Sequence, residues 1–126
     1  MRFPLATRYN DYDTKGHVNN AVFLTYFEMA RERAWVEHLH GSADFPFILA
    51  EATVQYRSEA MIGDPLEIEI TTAEVRTKAW VWAYTIRQAA DGRVVAEGRT
   101  VQVAFDYERK STMPIPAEIA ARLPSL

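Results

Sequence analysis

Cysteine is absent from the 126-residue chain. That excludes a disulfide scaffold, a cysteine nucleophile and thiolate metal sites. No apolar run approaches the ~20 residues of a membrane-spanning helix, and no apolar segment of signal-peptide length follows the early Arg2. Stretches rich in glycine, proline or serine are missing, as are internal repeats, so nothing suggests a linker or a solenoid. Charge of one sign is also scarce. The net charge of −3 argues against broad contact with nucleic acid or an anionic membrane. What remains is an ordinary composition, 48% hydrophobic and 25% charged, of the kind that folds as one globular domain spanning 1–126. The cytoplasm is the compartment these features point to.

The middle of the chain alternates with a period of two. Ala50, Ala52, Val54 and Tyr56 form one apolar set, and Leu66, Ile68 and Ile70 a second. Trp80, Trp82, Tyr84 and Ile86 form a third, and Val101, Val103 and Phe105 a fourth. Each reads as a strand with one face on a core. With a short segment in 2–9, this makes five strands. The links Gly63-Asp64-Pro65, Arg76-Thr77 and Asp91-Gly92 are short, as antiparallel neighbours require. The adjacent large residues Trp80, Val81 and Trp82 suggest a strand buried on both faces, which a second subunit would cover.

One long helix precedes these strands. Asn19 or Asn20 can cap it, and Gly41 can end it after about residue 39. Between Ala21 and Ala30 only Thr25 and Glu28 are clearly polar, the pattern of a helix buried nearly all round. A short helix at Pro116-Ala117-Glu118 follows the last strand. The implied architecture is α+β: an antiparallel sheet curved around one central helix.

The polar run from Tyr9 to Asn20 leads directly into that helix. It carries Asp11, Asp13, Gly16, His17, Asn19 and Asn20. The first N–H groups of a helix lack intrahelical partners and sit at the positive end of its dipole. They can polarise a carbonyl and stabilise an oxyanion. A nearby aspartate can attack that carbonyl or deprotonate water, and His17 can orient either one. The same residues would equally serve as capping and turn chemistry. His38 and His40 lie two apart on a helix end and face apart, so they make no metal site.

Asp13-Thr14-Lys15-Gly16-His17-Val18-Asn19-Asn20, followed by Tyr26-Phe27-Glu28-Met29-Ala30-Arg31, resembles the signature of the hotdog-fold acyl-CoA thioesterases. It is most similar to the 4-hydroxybenzoyl-CoA thioesterase-like group, and also to the acyl-ACP thioesterases. Tyr56-Arg57 to Gly63-Asp64-Pro65-Leu66, and Phe105-Asp106 with Met113-Pro114-Ile115-Pro116, extend the likeness over nearly the whole chain. The resemblance implies a hotdog fold, with a five-stranded antiparallel sheet wrapped around the helix, assembled as a homodimer or homotetramer. It implies hydrolysis of an acyl-CoA to free acid and coenzyme A, with no cofactor.

By that likeness Asp13 is the catalytic nucleophile or general base, and the backbone N–H near Asn20 polarises the thioester carbonyl. Gly16 allows close approach, and His17 and Asn19 complete the His-Val-Asn-Asn form. That form favours a fatty or other acyl chain over 4-hydroxybenzoyl. Arg57, Arg109 and Lys110 are the cations expected to meet coenzyme A phosphate. Glu28 lies about 12 Å along the axis from Asn20, too far to share the carbonyl. A structural pairing with a buried polar group or arginine is expected for it, with catalysis in reserve. The alternatives are an acyl-ACP thioesterase, a dehydratase-like relative, and a non-catalytic acyl-binding protein.

Overall fold

The computed structural model describes all residues, Met1–Leu126. Strand β1 (Arg2–Leu5) is followed by a short 3-10 turn at Tyr9–Asp11 and helix α1 (Val22–Arg33). A π-turn, Ala34–His38, prolongs α1. Four long strands follow: β2 (Phe47–Tyr56), β3 (Leu66–Val75), β4 (Ala79–Gln88) and β5 (Val94–Asp106). A two-residue β6 (Ser111–Thr112), a short helix α2 (Ala117–Arg122) and a 3-10 turn at Leu123–Ser125 complete the chain. The sheet runs β1-β3-β4-β5-β2, all antiparallel, with β6 attached to β5. It therefore has six strands rather than five, and there are two helices. Two-residue β6 is too short to show alternation in a sequence. No helix is long and apolar enough to cross a membrane.

The alternation in the strands decides which face meets α1. Trp80, Trp82, Tyr84 and Ile86 of β4 and Thr100, Gln102 and Ala104 of β5 are all buried. Phe23, Tyr26, Phe27, Ala30, Ala34 and Trp35 meet them from the helix side. The Phe27 ring stacks on Tyr84 at 4.4 Å between centroids. Beneath it lies Gly98, where an added Cβ would stand 2.3 Å from the ring and 2.7 Å from the Thr53 carbonyl oxygen. Only a residue without a side chain lets helix and sheet approach this closely.

Four expectations change. The helix starts later, because the Asn19 side chain first closes a turn onto the Ala21 N–H, and its carbonyl accepts from Val22. The left-handed residue after the helix is His40, with φ 51°, not Gly41. Gly41 is needed because a Cβ there would fall 2.0 Å from the Trp35 ring. Helix α1 is not buried all round: Leu24 is 45% exposed, and Thr25, Glu28 and Met29 are exposed beside it. The sheet of one chain covers one flank only. Finally, Val81 is buried without a second subunit. It sits on the convex face among Glu74, Arg76 and Arg99, whose long stems cover apolar surface while their charges stay in water.

Gly98→Ala should cost about 1–3 kcal/mol, as overpacking of a filled interior does. Urea unfolding would measure it. Adding Phe27→Leu to Gly98→Ala should recover part of that loss.

Candidate active site

The segment before α1 folds back on itself. Tyr12 pairs with Val18 and His17 with Met61 as isolated antiparallel bridges. Gly16 turns the chain at φ +77°, and its carbonyl accepts from Ile62 at 2.8 Å. Val18 donates to the Ala60 carbonyl at 2.8 Å. The loop is thus held between the helix entry and the 58–64 connection.

Its anchor is Asp11, 1% exposed. The carboxylate accepts from the Arg8 backbone N–H at 2.9 Å, from the Arg8 guanidinium at 3.0 and 3.2 Å, and from the Tyr26 hydroxyl at 2.9 Å. Burial alone would raise this carboxyl group. The Arg8 backbone, the Tyr26 hydroxyl and the Arg8 charge together hold it below the usual carboxylate range. Tyr26 is pushed up in turn, by burial and by its bond to Asp11. The Asp11 carbonyl also accepts from Asn19 at 2.8 Å. Asp11 is therefore the structural aspartate of the pair.

Asp13 stands at the exposed tip. Its Oδ1 accepts from Lys15 N–H at 2.9 Å and His17 N–H at 3.1 Å, while Oδ2 makes no hydrogen bond. The His17 amide is the main reason its carboxyl lies below the usual range; slight desolvation opposes this and the Lys15 amide adds to it.

A cleft of about 260 Å³ opens beside this loop. It is lined by His17, Asn20, Phe23, Tyr56, Arg57 and Glu59, among others. The Tyr56 hydroxyl donates to the Asn20 carbonyl at 2.8 Å and fixes the orientation of that peptide. The Asn20 backbone N–H takes part in no hydrogen bond, and Asn20, just before the N-cap of α1, lines the cleft. His17 Nε2 lies 3.5 Å from Glu59. Arg93 braces the opposite wall, with its guanidinium donating to Ser58 Oγ at 2.7 Å and to the Glu59 carbonyl at 2.6 Å.

The expected residues divide. His17, Asn20 and Arg57 share the cleft, whose lining does not include Asp13, although Arg57 also pairs with Glu97 at 2.9 Å. Gly16 shapes the loop, and Asn19 closes the turn ahead of α1 rather than capping it, since the N-cap is Ala21 with no side-chain capping bond. Arg109 and Lys110 lie elsewhere in the chain. Tyr56 faces Ala96, whereas these two follow Asp106, on the order of 30 Å further along β5. Glu28 is exposed and makes no ion pair, contrary to the buried pairing expected of it. It borders a second cleft, of about 400 Å³, with Arg31, Glu32, Phe45, Phe47 and Leu49. No cluster of three His, Cys, Asp or Glu side chains could hold a metal ion. The sequence reading assigns no site role to Tyr56 or Arg93. Nothing local distinguishes Tyr56 from any apolar strand residue, and Arg93 reads as part of a hairpin turn.

An antiparallel sheet curled on a helix is the arrangement found in thioesterases of the hotdog fold. The profile of the thioesterase-like superfamily matches residues 7–123, and the chain belongs to that family. It is 25% identical to the long-chain acyl-CoA thioesterase FadM of Escherichia coli, over 98% of this chain and 96% of the relative. The acyl-CoA thioester hydrolase YbgC of the same species is 26% identical, over 96% and 93%. A Thermus thermophilus thioesterase solved with coenzyme A and zinc superposes with a TM-score of 0.85 at 28% identity, covering 98% of this chain and 91% of that one.

Tyr26→Phe should lower stability by about 1.5–3 kcal/mol, the range for a hydrogen bond to a charged group. Because Asp11 titrates below its unfolded value, this contribution is complete above the ordinary carboxylate pKa. It is lost as pH falls through the folded value. Melting curves of both proteins should therefore converge in acid.

Proposed function

We propose that the protein hydrolyses acyl-CoA thioesters to free acid and coenzyme A, using the helix entry as its electrophilic site. The observation that carries this reading is the unpaired Asn20 N–H beside a cleft, in a chain whose family and curated relatives are thioesterases. The thioester carbonyl would accept from Asn20 N–H, which stabilises the charge that develops on its oxygen. Asp13, through the free Oδ2, would attack the carbonyl or take a proton from the attacking water. His17 would orient that water or the carboxylate. Arg57 would meet coenzyme A phosphate at the mouth. The cytoplasm is the compartment this reading assigns.

The site is completed, on this proposal, by a second copy. Strand β2 pairs only with β5, and its other edge is bare. Ile48 and Leu49 are exposed on it, 36% and 46%, next to the open flank of α1 carrying Leu24. An unpaired strand edge with apolar side chains is a template for another chain. Antiparallel β2–β2 pairing about a two-fold axis would bring the Phe47 end of one copy to the Tyr56 end of the other. The partner's Arg109 and Lys110 would then approach the Asn20 cleft, which explains how cations so far along the same chain could serve it. Light scattering at micromolar concentration should give at least a dimer mass. Leu49→Arg should shift the mass toward monomer and reduce activity together; a monomeric wild type would refute the shared site.

Asp13→Asn should lower kcat by about 10²-fold or more, as loss of an acid–base or nucleophilic group does, with KM little changed. Since the Asp13 carboxyl is held below the usual value, the wild-type acid limb of kcat/KM should lie below about pH 3.9, the ordinary aspartate pKa. An Asp13→Asn enzyme of near wild-type rate would make Asp13 structural and leave Glu28 as the residue to test. Arg57→Gln should raise KM more than it lowers kcat, because phosphate contacts exist in ground and transition states alike.

A further inference from the structure

The interior between α1 and the sheet holds two polar atoms with no partner. They are Trp80 Nε1 and Gln102 Oε1, both buried. Trp80 and Gln102 stand directly opposite each other on β4 and β5, on the face turned toward α1. The other two indoles are satisfied: Trp35 donates to the Ser42 carbonyl at 2.7 Å and Trp82 to Thr72 Oγ1 at 3.1 Å. One donor and one acceptor on neighbouring positions are thus left open in a core where such groups are otherwise paired.

A hydrogen-bonded chain orients the acceptor. The Tyr84 hydroxyl and Thr100 Oγ1 are 2.6 Å apart, and Gln102 Nε2 donates to that same Thr100 oxygen. The amide is thereby fixed with Oε1 turned away from Thr100. Leu49 of β2 lies opposite Gln102 on its other side. Leu49 is 46% exposed and borders the 400 Å³ cleft with Glu28, Arg31, Glu32 and Phe47. Leu49 is thus both the cross-strand neighbour of Gln102 and part of the wall of that cleft.

We propose that Gln102 and Trp80 form a seat for a neutral hydroxyl carried at the far end of a long acyl chain. The proposal rests on the reading that the thioester lies at Asn20. A hydroxyl can both accept from an indole N–H and donate to an amide oxygen. A methyl end satisfies neither. A carboxylate would face the Gln102 oxygen and, in the adjoining cleft, Glu28 and Glu32 against the single charge of Arg31. The distance sets the length. Tyr56, bonded to Asn20, faces Ala96, and Gln102 lies six residues further along β5, about 20 Å. A single ring attached to the thioester carbonyl would not span that gap; an extended aliphatic chain would.

The test uses non-hydrolysable thioether analogues of acyl-CoA, with dodecyl to hexadecyl chains ending in methyl, hydroxyl or carboxylate. Two quantities are read on the wild-type protein: the Kd of each analogue, and the Trp80 indole N–H resonance. At the best chain length the hydroxyl analogue should bind about tenfold tighter than the methyl one, a difference of about 1.4 kcal/mol. It should move the Trp80 resonance, while the methyl analogue leaves it in place. Gln102→Leu should abolish the preference without weakening the methyl analogue, and Trp80→Phe provides a second variant if the first does not fold. Equal affinities for hydroxyl and methyl ends would overturn the proposal and mark the pair as the seat of a buried water. So would a Trp80 resonance indifferent to the chain end, or a carboxylate preferred over both. Thioester hydrolysis that persists without discrimination of chain ends would leave the thioesterase reading standing. Failure to bind any analogue and to turn over any thioester would remove both.

Discussion

The carboxylate of Asp11 fixes the relation between loop and helix on which the site depends. It is buried under the segment that carries Asp13, His17 and Asn20, and it accepts from Tyr26 of α1 and from Arg8 before the loop. A buried charge survives only when its lone pairs are filled, so this one accepts several hydrogen bonds. The arrangement ties three separate stretches of chain at one point. Remove it, and the Gly16 turn and the helix entry lose their common reference. Asp13, one residue past Tyr12, then stands where the loop puts it, held by two amides rather than by a side-chain partner.

The second constraint is the close approach of helix and sheet. Phe27 lies over Gly98 and against Tyr84, and that depth sets how close the β2 side of the sheet stands to α1. One groove opens at Asn20 and Tyr56, the other at Glu28 and Arg31. Both clefts lie between α1 and β2, one at the Tyr56 end of the strand and the other at the Phe47 end. The fold thus offers both a place for a carbonyl and a direction for what is attached to it.

Much of this was legible in the order of residues. Period-two runs gave β2 to β5, because each strand has one buried face and alternates accordingly. The Asp13 to Asn20 run was conspicuous because a polar segment enters a hydrophobic helix. From Ala21 to Ala30 the apolar composition predicts a helix buried nearly all round, yet composition records what a surface prefers and not which chain covers it. Glu28 was misplaced for the same reason. Val81 pointed to a partner, yet charged neighbours shield it from within the chain. Gln102 and Thr100 take their roles from cross-strand pairing, and Tyr56 from its bond to Asn20, contacts that bring together residues tens of positions apart in two of the three cases. Arg109 and Lys110 show the converse, cations chosen by type that the chain places far from the cleft.

The strand order has a consequence for how the molecule is made. Strands β3, β4 and β5 are joined by short turns and can pair as soon as each appears. Strand β2 precedes all three in the chain, but its only partner within the chain is β5, the last long strand. During synthesis it must wait, extended and apolar, while about forty residues are added, and closing such non-local pairs is the slow part of folding. It is the segment with the longest time to meet the wrong neighbour before the right one.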